Sequence, residues 1–101
     1  MKSMTVMMLT AAVLITAGPA AAGDIEAGKA KATLCAACHG PDGISLNDLW
    51  PNLKGQKKAY LIKQIKAFRD GDRQDPTMLP MVKPLSDADI ENIAEYYSSL
   101  K

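Results

Sequence analysis

The stretch Cys35-Ala36-Ala37-Cys38-His39 contains both cysteines and the only histidine of a 101-residue chain. Two thiols three positions apart share one side of a helix, and the histidine follows directly. A chain of this length folds as one domain. We therefore expect its chemistry to be concentrated at this motif.

The order C-x-x-C-H is typical of covalent haem attachment. Each thiol can form a thioether to a vinyl group of one porphyrin, and the adjacent histidine then lies beneath the iron as its proximal ligand. We predict one haem c per chain, bound covalently by Cys35 and Cys38, with His39 on the iron.

Three other uses of the motif compete with haem. A disulfide between Cys35 and Cys38 leaves His39 without a role. A thioredoxin-like redox motif needs a βαβ context, which the sequence does not show. A zinc site needs four ligands, so a carboxylate would have to join two cysteines and one histidine.

Residues 1–22 have the order of a secretory signal peptide. Lys2 is the only charged residue before Asp24, an apolar run covers residues 6–17, and Gly18-Pro19 precedes three alanines. The run is shorter than a membrane-spanning helix. We predict cleavage after Ala22 and a periplasmic domain of residues 23–101 with no stable membrane insertion; an uncleaved anchor is the alternative.

The charge balance argues against a nucleic-acid-binding protein. The chain has 12 basic and 11 acidic residues, for a net charge of +1, and removal of Lys2 brings the net charge to zero. Nucleic-acid binders usually have a clear basic excess.

Apolar spacing predicts three main helices and no strand. The first begins at the N-cap Asp24 and reaches Cys35, the second covers residues 57–70, and the third follows a capping box that starts at Ser86. Segments 40–56 and 72–85 are rich in glycine or proline and are predicted to be loops. Loops this long around a small core indicate that the chain wraps a central object.

The second axial ligand of the iron has few candidates. His39 is the only histidine, and methionine is the soft ligand of electron-transfer cytochromes. After residue 22 the only methionines are Met78 and Met81. Each can bind the iron or pack as an adaptable apolar side chain.

Further motifs follow C-A-A-C-H-G-P-D-G in order: Pro51-Asn52-Leu53-Lys54-Gly55-Gln56, Tyr60, Lys63-Gln64, Arg73, Met78-x-x-Met81, Leu85-Ser86-Asp87 and Ala94-Glu95-Tyr96-Tyr97. With them the chain resembles a small class I bacterial cytochrome c, and it is similar to one domain of the dihaem periplasmic cytochromes. The resemblance implies an all-α class I cytochrome c fold, with three main helices and long loops wrapped around one haem.

The resemblance also assigns roles to single residues. It favours Met78 as the distal ligand, with Met81 as the alternative. It implies that the backbone carbonyl of Pro51 holds the Nδ1–H of His39. It further implies that Gly28 packs against Tyr96 or Tyr97 where the first and last helices cross.

Two more residues are candidates near the haem. Arg73 matches an arginine of the family and either meets a haem propionate or is solvated. Trp50 stands in the loop that must wrap the porphyrin, so it lines the haem crevice or fills the core.

Iron with both axial positions filled by protein has no site for a substrate, so the expected function is electron transfer rather than catalysis. A methionine ligand and an apolar crevice favour ferrous iron and a positive midpoint potential. The alternatives are a five-coordinate haem that binds a small gas and the haem subunit of a larger periplasmic dehydrogenase.

The charge pattern indicates how partners bind. We expect the protein to be a monomer and its partners to be transient redox proteins. Residues 49–69 contain bases and no acid, whereas residues 70–101 are mainly acidic. This order predicts a dipolar molecule that steers its partners, or else ordinary solvated helix faces.

Overall fold

The structure, a computed structural model, describes Ser3, Thr5 and residues 23–101. The rest of the predicted signal peptide lies outside the described residues. The helices are α1 (Ile25–Lys31), α2 (Thr33–His39), α3 (Lys58–Asp70), α4 (Leu79–Val82) and α5 (Asp87–Ser99), and the described part of the chain contains no strand. In that same part, every helix is too short or too polar to span a bilayer.

The helix predicted from Asp24 to Cys35 is divided at Ala32, and its second part continues to His39. Asp24 is the N-cap of α1, as predicted. The hydroxyl of Thr33 donates to the carbonyl of Ala30 at 2.9 Å, a contact of the kind that bends helices. The interruption therefore stands just before the cysteine motif.

The other two predicted helices have nearly the expected bounds. The second, α3, begins after Lys57 and ends at Gly71, whose φ of 87° is left-handed. At the start of α5 the predicted capping box is present. The Ser86 hydroxyl accepts from the Asp89 N–H at 3.1 Å, and the Asp89 carboxylate accepts from the Ser86 N–H at 3.0 Å.

The segment 72–85, predicted to be a loop, contains the short helix α4. The carboxylate of Asp75 accepts from the N–H groups of Thr77 and Met78 at 2.8 and 3.1 Å and so organises the turn that enters it. The prediction was wrong here because four residues show no periodicity and Pro80 suggests a break. Proline is tolerated in the first turn of a helix, where its missing N–H has no intrahelical partner.

Helices α1 and α5 cross at Gly28. A Cβ at this position would overlap the carbonyl of Asn92 and would come within 3.0 Å of the Cβ of Tyr96. Asn92 also accepts, through its side-chain oxygen, the N–H of Asp24 at 2.9 Å. Of the two tyrosines that the resemblance offered, Tyr96 is the one beside Gly28.

The core lies between the first two helices, α3 and α5. Its buried cluster is Ala32, Leu61, Ile93, Ala94, Tyr96 and Tyr97. Partly buried side chains pack against it, and Cys35 is among them. The cysteine motif is therefore attached directly to the core.

Ion pairs connect α3 to α5 and alter the expected charge pattern. The Nζ of Lys58 lies 2.9 Å from a carboxylate oxygen of Glu95 and 3.4 Å from one of Glu91. An Nη of Arg69 lies 2.8 Å from Asp87. Acidic residues of α5 therefore offset part of the charge in the basic segment 49–69.

Candidate cofactor-binding site

His39 is the last residue of α2 and is buried, with 7% of its surface exposed. Its Nδ1 lies 2.8 Å from the backbone carbonyl oxygen of Pro51. A carbonyl oxygen can only accept, so Nδ1 carries a proton, and in the neutral imidazole Nε2 is then the nitrogen with the lone pair. The structure thus brings His39 and Pro51 together in the tautomer that a metal-binding imidazole needs.

The loop after His39 is shaped by two glycines. Gly40 ends α2 with φ 86°, and Gly43 has φ 77°. The carbonyl of Gly43 accepts from the N–H groups of Leu53 and Lys54 at 2.8 and 2.9 Å. These bonds close the loop upon itself and hold Pro51 over the histidine.

Cys35 and Cys38 are free thiols, and both are partly buried on α2. Burial raises the pKa of Cys35, and the nearby Cys38 raises it further. A spacing of three residues places both sulfurs on the side of α2 that leads to His39.

The two methionines have different surroundings. Met78 is half-buried at the start of α4, where its N–H donates to Asp75 and its carbonyl accepts from Val82 at 3.1 Å. Met81 is 43% exposed and lines a small cavity of about 120 Å³ together with Cys35. The backbone of Met78 is therefore fixed on both sides, whereas the side chain of Met81 lies beside the first cysteine.

The two remaining candidates are at the surface. Trp50 is 38% exposed and immediately precedes Pro51. Arg73 donates from Nη1 to Oε1 of Gln64 at 2.9 Å, and its guanidinium lies 4.4 Å from the ring centroid of Phe68. Arg73 is thus held by α3, which neither of its two sequence interpretations included.

In the sequence, Tyr97 was considered only as a possible neighbour of Gly28, and its hydroxyl was missed. Tyr97 is 1% exposed, and its oxygen has no hydrogen-bond partner among the described residues. Burial raises the pKa of Tyr97, and the nearby Cys35 and Tyr96 raise it further. Only the packing of α5 reveals this hydroxyl, because helical periodicity predicts that a side chain is buried but not whether its polar atom has a hydrogen-bond partner.

These residues fit a covalently bound haem. The candidate ligands are two free cysteine thiols, one imidazole and the thioether sulfurs of the two methionines. A zinc site would need several His, Cys, Asp or Glu side chains to converge, and within the described residues no three of them do. The segments after His39 and around Met78 also carry large exposed apolar side chains, namely Ile44, Leu46, Leu49, Trp50, Leu79 and Met81. A flat apolar cofactor would give such side chains a surface to contact.

Comparison with known proteins gives a consistent set of matches. A family model described as Cytochrome c matches residues 25–101. The chain is 52% identical over 81 residues to cytochrome c-554(548) of Halomonas halodenitrificans, which covers 77% of this chain and 98% of that protein.

Two solved structures are similar. Reduced recombinant cytochrome c4 from Pseudomonas stutzeri has a TM-score of 0.75 and 44% identity, over 79% of this chain and 47% of that one. Thiosulfate dehydrogenase (TsdBA) from Marichromatium purpuratum has a TM-score of 0.70 and 34% identity, over 76% of this chain and 19% of that one. The chain thus spans about half of the cytochrome c4 chain.

Proposed function

The chain belongs to the cytochrome c family, and on this premise we propose that it is a periplasmic carrier of single electrons with one haem ligated by His39 and Met78. Membership confirms the predicted all-α cytochrome c fold, the covalently bound haem c and a role in electron transfer. When bound, the haem iron supplies a one-electron change between its ferric and ferrous states.

The place of Cys35 and Cys38 on α2 supports attachment of the haem through both thiols. Both thiols are free, and both lie on the helix that ends with His39. Cys35 packs against the core cluster, so this attachment point is held directly by the core. Two attachment points beside a metal ligand keep the cofactor from dissociating during repeated electron transfers.

The contact between His39 and Pro51 is the observation that carries this proposal. A hydrogen bond of 2.8 Å from Nδ1–H to a backbone carbonyl leaves Nε2 free, sets the ring orientation and increases the basicity of the imidazole. The proximal ligand is therefore assigned to Nε2 of His39.

Met78 is the better candidate for the distal ligand. Its backbone is held by Asp75 on one side and by α4 on the other, so its side chain leaves from a fixed point. Met81 is more exposed and already lies in the cavity beside Cys35. These differences agree with the resemblance, which favours the first methionine of the pair.

Absorption spectra of Met78→Ala and Met81→Ala proteins test the ligand. Ferric cytochromes with methionine on the iron have a weak band at the red end of the spectrum. We expect Met78→Ala to lose this band and to bind CO when reduced, while the matched Met81→Ala control keeps the band. Loss of the band in Met81→Ala alone would transfer the role to Met81, and its absence from the unmodified protein would favour the gas-binding function.

A second function, the haem subunit of a larger dehydrogenase, is favoured by the similarity to thiosulfate dehydrogenase (TsdBA). Gel filtration of the native protein separates the two functions. An electron carrier elutes at the mass of a single chain, whereas a subunit elutes with a larger protein.

A further inference from the structure

The segment 72–85 is hydrogen-bonded to α3 near both of its ends. At the first end, the backbone N–H of Arg73 donates to the carbonyl of Ala67 at 3.0 Å. At the other end, Nη1 of Arg69 donates to the carbonyl of Leu85 at 3.2 Å. Ala67 and Arg69 belong to the same turn of α3, so one short stretch of this helix holds both ends of the segment.

Between these two ends the segment packs loosely against α3. A cavity of about 320 Å³ lies between them, lined by Phe68 and Gly71 on one side and by residues 73–76 and Leu79 on the other. Leu79 is 37% exposed, and Met81 is also exposed. Apolar packing therefore restrains this part of the segment weakly, and the hydrogen bonds at its ends provide more of the restraint.

Three hydrogen bonds in series connect the guanidinium of Arg69 to the backbone of Met78. Leu85, whose carbonyl accepts from Arg69, donates its own N–H to the carbonyl of Val82 at 3.0 Å. Val82 is buried and donates its N–H to the carbonyl of Met78 at 3.1 Å. A backbone movement that carries Met78 away must therefore break this series or displace Leu85, which packs against the core cluster.

The guanidinium of Arg69 has a fixed orientation. Its side chain is only 19% exposed, and its Nε and Nη2 donate to the carboxylate of Asp70 at 2.9 and 3.3 Å. Nη1 donates to Asp87 at 2.8 Å as well as to Leu85. Hydrogen bonds with a charged donor are stronger than those between neutral groups. The bond to the Leu85 carbonyl thus comes from a strong donor that is already in place.

We propose that Arg69 is a positioning residue whose hydrogen bond to Leu85 keeps Met78 at the haem iron and slows its displacement by external ligands. The inference rests on the proposed ligation by Met78. Without this bond the segment is attached to α3 at its first end only, so it opens more often. An external ligand then reaches the iron more often.

Stopped-flow binding of imidazole to the ferric holoprotein tests the proposal. At saturating imidazole, the observed rate becomes the rate at which methionine leaves the iron. We expect Arg69→Met to raise this limiting rate by about tenfold or more, because the substitution removes every guanidinium donor and keeps the apolar stem. An unchanged limiting rate would overturn the proposal.

The matched control is Lys58→Met, which removes a different cation that joins α3 to α5. Lys58 pairs with Glu91 and Glu95, far along α3 from the segment 72–85. We expect this variant to keep the limiting rate of the unmodified protein. An equal increase in Arg69→Met and Lys58→Met would assign the effect to a general loosening between the two helices and would refute the role of Arg69.

Met78→Ala separates this inference from the proposed function. The variant has no methionine at position 78 to displace, so we expect imidazole to bind it without a limiting rate. If the unmodified protein binds imidazole equally fast, the ligation by Met78 fails and the inference fails with it. If the unmodified protein shows slow, saturating binding that Arg69→Met does not accelerate, only the inference fails.

Amide hydrogen exchange in the unmodified ferrous protein does not depend on how the variants fold. We expect the N–H groups of Val82 and Leu85 to exchange at least about tenfold more slowly than the same groups in an open chain, since both are donors in the series. Exchange of the Leu85 N–H at the open-chain rate would show that the series is broken in solution and would overturn the inference.

Discussion

Gly28 illustrates how one missing side chain sets the distance between two helices. On helix propensity alone, alanine is better than glycine by about 1 kcal/mol in a helix interior. The carbonyl of Asn92 occupies the space that a Cβ would need. The crossing of α1 and α5 therefore reverses the usual preference.

We predict that Gly28→Ala lowers the free energy of unfolding by about 1–3 kcal/mol, the usual range for overpacking a close contact. Chemical denaturation of the holoprotein measures this change. The matched control is Lys29→Ala, an exposed position on the same helix, where the change should stay within about 0.5 kcal/mol. Stabilisation by Gly28→Ala would show that the two helices separate freely.

Residue types alone predicted much of the candidate site. The thiols and the histidine were identifiable because few residue types bind metals or form thioethers. The contacts of Pro51 with His39 and of Gly28 with a tyrosine of the last helix were predicted only from the resemblance. A backbone carbonyl has no signature in the sequence. The interactions of Arg73 with Gln64 and Phe68 depend on the geometry of α3 and were not predictable.

Among the helices, α5 depends on the reciprocal hydrogen bonds at its first turn. Removal of the Ser86 hydroxyl leaves the Asp89 N–H without its partner. We predict that Ser86→Ala lowers the free energy of unfolding by about 1 kcal/mol, a typical effect at an N-cap. Ser99→Ala, at the other end of α5, is the control and should change it by a few tenths, within the range of ordinary surface substitutions. Equal effects at both serines would contradict the special role of the cap.

The same capping box predicts a dependence on pH. Hydrogen bonds from the backbone and side chain of Ser86, together with Lys31, lower the pKa of Asp89. A folded-state pKa below the unfolded value of about 3.9 stabilises the protein above that pH, and the contribution is lost as the pH falls through the folded pKa.

Melting temperatures between about pH 6 and pH 2 test this dependence. We expect Asp89→Asn to be less stable than the unmodified protein at pH 6 and to approach it at low pH. The same substitution at the exposed Asp48 removes an equal charge outside the capping box and is the matched control. Parallel curves for Asp89→Asn would refute the titration of this carboxylate.

The accuracy of the helix predictions followed the strength of local signals. Residues 87–99 carry a cap, an apolar stripe and acidic residues in the first turn, and the predicted start agrees with the structure. The interruption at Ala32 depends on a single hydroxyl contact, and α4 is too short to show a period. Both features depend on local hydrogen bonds of single side chains, which leave no periodic pattern in the sequence.

For the whole molecule, the small core predicts that folding depends on the cofactor. Domains of this size usually need a staple in addition to apolar burial. We predict that a Cys35→Ala/Cys38→Ala protein without haem loses most of its helical circular dichroism and its cooperative thermal transition. The haem-containing protein is the control. A cooperative transition in the haem-free chain would show that the polypeptide core suffices.

Charge on the assembled surface predicts how partners approach. Lys58 and Arg69 are paired with acidic residues of α5, but Lys54, Lys57 and Lys63 are exposed. We predict that association rates with acidic redox partners fall as ionic strength rises and that Lys57→Glu slows association. Lys29→Glu on α1 makes an equal charge change outside the segment and should have less effect. Rates that do not depend on salt would exclude steering.

The bond from His39 to Pro51 has a consequence for mutational robustness. Its acceptor is a main-chain oxygen, and every amino acid has one. A codon change at position 51 can alter the path of the loop, but it cannot delete the acceptor. The orientation of the imidazole is therefore protected from side-chain chemistry and exposed only to changes in backbone shape. Insertions and deletions near the turn at Gly43 are then a greater danger to it than point substitutions at Pro51 itself.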